Sequence, residues 1–160
     1  MRHRSFRHLA LLAAVACVGL LAVAGVRLLG IFDHARGKAD ADDPVQVNSG
    51  RVVYNEYCAA CHGITLEGHP DWQMRKPDGR LPAPPHDKTG HTWHHPDAHL
   101  FEVTKHGLKN VAPPDYQTDM PAYDGVLTDR QIWDVVAYIK STWPKDIQAR
   151  QERLNRGGSD

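Results

Sequence analysis

Cysteine is scarce in this chain of 160 residues: there are three, and one of them, Cys17, stands alone in an apolar run. An odd, widely separated set excludes a disulfide scaffold. Net charge is also missing, with 19 basic against 19 acidic residues. That balance argues against a nucleic-acid binder held by phosphate neutralisation, while leaving room for a local charged docking patch. No nucleophile–base constellation, phosphate-cradling glycine loop or helically related carboxylate pair is visible, so an independent enzymatic activity is not expected. Beyond the initiator, methionine occurs only at positions 74 and 120.

One long hydrophobic run exists, from Leu9 to Val26, preceded by Arg2, Arg4 and Arg7 and extended past Arg27 by Leu28, Leu29, Ile31 and Phe32. Eighteen residues of helix reach ~27 Å, close to the hydrocarbon thickness of a bilayer. The arginines favour an inside N-terminus and an outside C-terminal part. The expectation is therefore a transmembrane anchor over residues 1–32, entering the inner (plasma) membrane through residues 8–32. Two alternatives compete: a cleaved export signal ending near Ala22-Val23-Ala24, and a lipoprotein signal around Ala14-Val15-Ala16-Cys17. All three place the rest of the chain outside the cytoplasm, tethered or released into the periplasm. Residues 33–47, rich in Asp, Ala and Gly, read as a flexible linker.

The segment Cys58-Ala59-Ala60-Cys61-His62 carries the most chemistry. Cysteines three apart share a helix face and reach two vinyl groups on one porphyrin edge. The histidine that follows directs an imidazole at iron, and the spacing is that of a c-type haem attachment. Zinc would need two further ligands, and His91 and His95 lie much farther on than a zinc finger places them. A thioredoxin-like pair would need a βαβ setting that is not evident. Asn48 and Ser49 read as N-caps of the helix leading into the motif, in which Gly50 and Tyr54 share a face.

For a second iron ligand, Met120 stands before Pro121, which holds it extended in a loop. Met74, among polar neighbours and close behind the motif, suits the role less well. Leu127 to Gln131 contains a capping box, Thr128 with Gln131. Ile132, Val135, Val136, Ile139 and Trp143 then follow a helical period that stops at Pro144. A middle helix is expected from Pro96 to Lys105, with Leu100 and Phe101 inward and Gly107 as its stop. The charged stretch 145–160 lacks an apolar face and reads as a solvated tail.

Together these pieces, over residues 48–144, resemble class I c-type cytochromes: single-haem, membrane-anchored, bacterial. The resemblance implies an all-α cytochrome c fold, three to four helices around one covalently bound haem c, attached through Cys58 and Cys61. It implies His62 and Met120 as the metal ligands, with first and last helices crossing near Gly50. A proline-turn carbonyl from Pro82, Ala83 or Pro84 would accept the imidazole N–H of His62. The run Trp72 to Arg80 is insert-like by comparison with the family. Trp72, Arg75, Arg80 and Trp93 are candidates for bonds to the haem propionates. His91, His94, His95 and His99 read either as surface and cap residues or as ligands for a second metal, copper among them; Pro96 breaks the register between them.

The function implied is single-electron transfer in a membrane-linked respiratory chain, between a redox-protein donor and acceptor in the same membrane. The runner-up is a haem-c subunit of a larger redox enzyme. A haem-based sensor or a copper-handling protein is a third reading.

Overall fold

The computed structural model describes residues 37–108 and 111–157. The expected membrane anchor, and with it Cys17, lies outside the described residues. Among the described residues no helix is long and apolar enough to cross a membrane. They contain helices and no strand: α1 (Pro44–Tyr57), α2 (Ala59–His62), a short 3₁₀ turn (Thr92–His94), α3 (Asp97–His106), α4 (Asp129–Ser141) and α5 (Lys145–Asn155). This is the all-α class that the sequence implied.

The first helix begins earlier than expected. Asp43, not Asn48 or Ser49, is its N-cap, accepting from the Val45 and Gln46 N–H groups at 2.9 and 3.4 Å. Pro44 occupies the first helical position, where a missing N–H costs nothing. Ser49 instead donates to Asp134 Oδ2 across the helix interface at 2.7 Å. Residues 37–47 of the stretch expected to be a flexible linker are thus packed onto the fold. Ala39 is buried, and Gln46 bridges back to the Lys38 carbonyl (3.1 Å) and the Asp40 N–H (2.7 Å).

Helix α4 fits its sequence. The capping box closes as expected, Gln131 N–H to Thr128 Oγ1 at 3.3 Å and Thr128 N–H to Gln131 Oε1 at 2.9 Å. Ile132, Val135, Val136, Ile139 and Trp143 are all buried. Each such side chain removed from water contributes about 1.5–3 kcal/mol. All but Val136 pack with Val53, Tyr54, Leu66 and Leu127 into one core, against which Leu100 and Phe101 of α3 lie, while Val136 packs with Ala39 and Ala137 in a second cluster. Helix α3 begins at Asp97, one residue later than expected, with Pro96 just outside as its N-cap and Gly107 ending it.

Helix α1 crosses α4 at Gly50. A β-carbon there would overlap the Asp134 carbonyl and press on Tyr138 Cβ, so only glycine lets the two backbones touch.

The solvated tail needs correction. Residues 145–155 form α5, held by polar burial that no apolar pattern announces. Gln151 is fully buried and donates to Asp97 Oδ1 (2.7 Å) and the His95 carbonyl (3.1 Å). The same Asp97 carboxylate takes the buried Lys140 ammonium at 2.6 and 2.9 Å, and Lys140 also reaches the Ala39 carbonyl at 3.2 Å. Asn155 Oδ1 accepts the Asp97 N–H at 2.7 Å.

The crossing gives a direct prediction. Gly50→Val is expected to destabilise the fold by about 1–3 kcal/mol or more, because the overlap is with backbone and cannot relax by rotamer change. Chemical denaturation with an unchanged m-value checks this; wild-type stability would contradict the close crossing.

Candidate functional site

The pentapeptide sits where α1 breaks. Cys58 follows α1 directly, its N–H still bonded to the Tyr54 carbonyl at 2.8 Å, and α2 carries Cys61 and His62. Gly63, with φ 81°, ends the turn, and its carbonyl accepts the Tyr54 hydroxyl at 2.9 Å. The Tyr123 hydroxyl meets the Tyr57 carbonyl at 2.7 Å, pinning the chain beyond Met120 to the end of α1. Cys58 is partly buried and Cys61 exposed, and no disulfide joins them. Burial, then the neighbouring Cys61, pushes the Cys58 thiol up to about 11. A dithiol oxidoreductase needs the opposite shift, so the pair is poorly suited to thiolate redox chemistry.

His62 is buried, and its Nδ1 lies 2.8 Å from the Pro84 carbonyl oxygen. A carbonyl only accepts, so Nδ1 carries the proton and Nε2 keeps its lone pair for a metal. Burial lowers the imidazole pKa, and the Pro84 bond acts against that shift. Of the three expected carbonyls, Pro84 meets the ring. Ala83 accepts the His69 N–H instead at 2.9 Å, and Pro82 lies upstream in the same extended run. Two backbone bonds, from His69 to Ala83 and from His86 to Leu66 (2.8 Å), clip this run against the segment behind the motif. Gly68 makes the clip possible: with φ 64°, its missing side chain leaves room for the Pro84–Pro85 backbone.

His86, unremarked in the sequence, stacks on His62 with ring centroids 4.0 Å apart and planes 23° from parallel. Burial, then the neighbouring His62 and His91 imidazoles, holds its pKa well below the ordinary value. No spacing rule connects positions 62 and 86, so only the folded chain reveals the pair.

The remaining candidates divide. Met120 is partly buried in a loop without regular structure, its N–H bonded to Thr118 Oγ1 at 3.0 Å, whereas Met74 is 62% exposed. Asp119 beside it pairs with Lys76 and with Arg80 (3.2 Å), so the insert-like run is tied to the methionine loop. Arg80 Nε and Trp93 Nε1 are buried donors without a protein acceptor. Such orphans are costly and point to an acceptor that the polypeptide does not supply. Arg75 is drawn elsewhere, to the Gly79 carbonyl (2.6 Å) and the Tyr116 ring, and Trp72 stacks on His91 at 5.5 Å.

The histidine-rich stretch forms a column of rings. His91 meets His95 edge-on at 5.5 Å, His95 stacks on His99 at 4.5 Å, and His94 stacks on Trp93 at 3.7 Å. Among the described residues no three His, Cys, Asp or Glu are grouped to hold a metal ion, so the arrangement lends no support to a copper site.

Free cysteines at the right spacing, a buried imidazole with Nε2 available and two orphaned donors for carboxylates fit a covalently held haem. The cytochrome c family model matches residues 47–143, and the chain belongs to that family. It is a c-type cytochrome, whose cofactor is haem c joined covalently through Cys58 and Cys61. It is also similar to a nitrite reductase of Stutzerimonas stutzeri, 25% identical over 126 residues, which cover 75% of this chain and 20% of that protein. The chain thus spans about a fifth of the length of the curated relative it matches. No solved structure matches it.

The histidine column predicts a pH dependence. Burial first, then neighbouring histidines, lowers the pKa of His91 and His95 below 6.5. The unfolded chain therefore binds more protons just below that value, and stability rises with pH there. Stability is expected to be full above 6.5 and to fall as the pH drops below it. His95→Asn should flatten that slope; thermal unfolding across the range checks it.

Proposed function

We propose that this cytochrome carries single electrons through its haem c, with His62 and Met120 as axial ligands, in a membrane-linked respiratory chain. The observation that carries the reading is the His62–Pro84 bond, which fixes the tautomer and leaves Nε2 for iron. Pro84 thereby also raises the basicity of the ligand. Bound haem supplies the one-electron couple; the protein's part is to hold it and limit access to it. Cys58 and Cys61 form the thioethers, and Arg80 Nε and Trp93 Nε1 donate to the propionates. Met120 comes from a loop braced on two sides, by Asp119 through Lys76 and Arg80 and by Tyr123 through Tyr57. A thioether ligand from Met120 would raise the potential relative to a second imidazole and leave no position open to exogenous ligands, which suits a carrier better than a catalyst.

The proposed setting is the outer face of the inner membrane, with residues 8–32 as single-pass anchor and the haem domain on the periplasmic side. If the N-terminal segment is cleaved, the domain is periplasmic. Donor and acceptor are then redox proteins of the same membrane. The similarity to a nitrite reductase supports a second reading, a haem-c subunit of a larger redox enzyme. Stable co-purification with catalytic subunits separates the two.

Met120→Ala should leave haem covalently attached but abolish the sulfur-to-iron charge-transfer band and admit carbon monoxide. Visible spectra of the exported, haem-loaded chain check this. If Met74→Ala did so instead, the assignment of the methionine ligand fails. Cys61→Ala should weaken covalent attachment and His62→Ala abolish normal ligation; a normal covalent haem spectrum in both variants would overturn the motif assignment.

A further inference from the structure

His86 has no part in the ligand set, yet more of the local structure converges on it than on any surface histidine. Its ring lies flat on His62, centroids 4.0 Å apart at 23°. The Oγ1 of Thr92, itself buried, lies 2.8 Å from His86 Nδ1 and 3.5 Å from the Pro85 carbonyl oxygen. The His86 carbonyl accepts the indole N–H of the buried Trp143 at 2.8 Å. Its N–H reaches the Leu66 carbonyl at 2.8 Å. Tyr54 closes in edge-on, centroids 6.4 Å apart. Leu66 is the one non-glycine residue with positive φ among those described, at 67°, and it is buried. Backbone strain of that kind persists only where surrounding structure over-determines it. Here it sits at the contact that sets the height of His86.

The Pro84 bond restrains one nitrogen of His62 but tolerates small turns of the ring about its Cβ–Cγ bond. A flat neighbour against its face blocks that motion; a hydrogen bond alone does not. We propose that His86 is a positioning residue for the iron ligand, its ring fixing the plane of the His62 imidazole by stacking. The inference rests on the haem reading of the site. The plane of an axial imidazole sets how the iron d orbitals split, so its effect is read in the ferric spectrum rather than in whether haem binds. Orienting a ligand from outside the coordination sphere is a recognised lever of metal sites.

The test uses the full-length, haem-loaded chain and two substitutions that separate ring from hydrogen bond. His86→Phe keeps a flat ring and loses the bond to Thr92. His86→Asn keeps a polar group for Thr92 and loses the stack. Pyridine haemochrome first verifies covalent haem in each protein. Low-temperature EPR and haem-methyl NMR shifts of the ferric form then report the imidazole plane, and a redox titration reports the potential. His86→Asn is expected to shift and broaden the principal g values, reorder the haem-methyl shifts and move the potential. His86→Phe should restore values close to wild type. Unchanged g values and methyl order in His86→Asn overturn the proposal, as does a Phe variant that behaves like Asn. If the Asn variant does not mature, His86→Leu, which fills the space without a flat ring, is read the same way. A wild-type protein without covalent haem would instead sink the reading of the site.

Discussion

The contact of two helix backbones at Gly50 sets the geometry that the other contacts elaborate. Because no side chain stands between α1 and the Asp134 carbonyl of α4, the helices approach to backbone distance. One turn later Tyr54 is fully buried, and its hydroxyl holds the Gly63 carbonyl at 2.9 Å. The depth of Tyr54 therefore fixes where Cys58 to His62 emerge. From the other side, Tyr123 ties the chain beyond Met120 to the end of α1. The attachment motif and the methionine loop are thus both placed from a single crossing, although fifty-eight residues separate His62 from Met120.

Around His62 the chain uses backbone rather than charged groups to control an imidazole. The proline run is extended because proline fixes its own φ and restrains its predecessor, which presents successive carbonyls at regular spacing. Two backbone bonds and Gly68 then decide which of them meets the ring. The stacked His86 adds a second constraint at right angles to the first. Neutral partners suit this place, since a buried charge beside the site would shift both ligand basicity and potential.

The polar burial around Asp97 has a different character. Asp97 gathers Lys140, Gln151 and Asn155, joining α3, α4 and α5, and Lys140 also grips Ala39. A buried pair of this kind gives little net stability against an apolar alternative, but removing one partner strands a charge. Its geometry is directional, so it fixes how α5 docks. The His95 carbonyl joins the same network through Gln151, which couples the histidine-rich turn to the C-terminal helix.

Much of this was legible in the residues: the attachment pentapeptide, the stripe and capping box of α4, the middle helix, and Gly50 as the crossing point. Those features are local or periodic, and local chemistry is what a sequence records directly. The N-cap was misplaced because Asn48 and Ser49 are good caps in isolation, whereas Asp43 followed by Pro44 is a stronger start. Residues 145–155 lack an apolar face and so look solvated in the sequence, whereas α5 is held by burying glutamine and its hydrogen bonds. The choice of Pro84 over its neighbours, the tie from Asp119 to the insert and the His62–His86 stack were decided by tertiary structure alone. Each depends on distances between segments far apart in the chain. Backbone closure at Gly50 and Gly68 sets those distances, and no spacing within either segment encodes them.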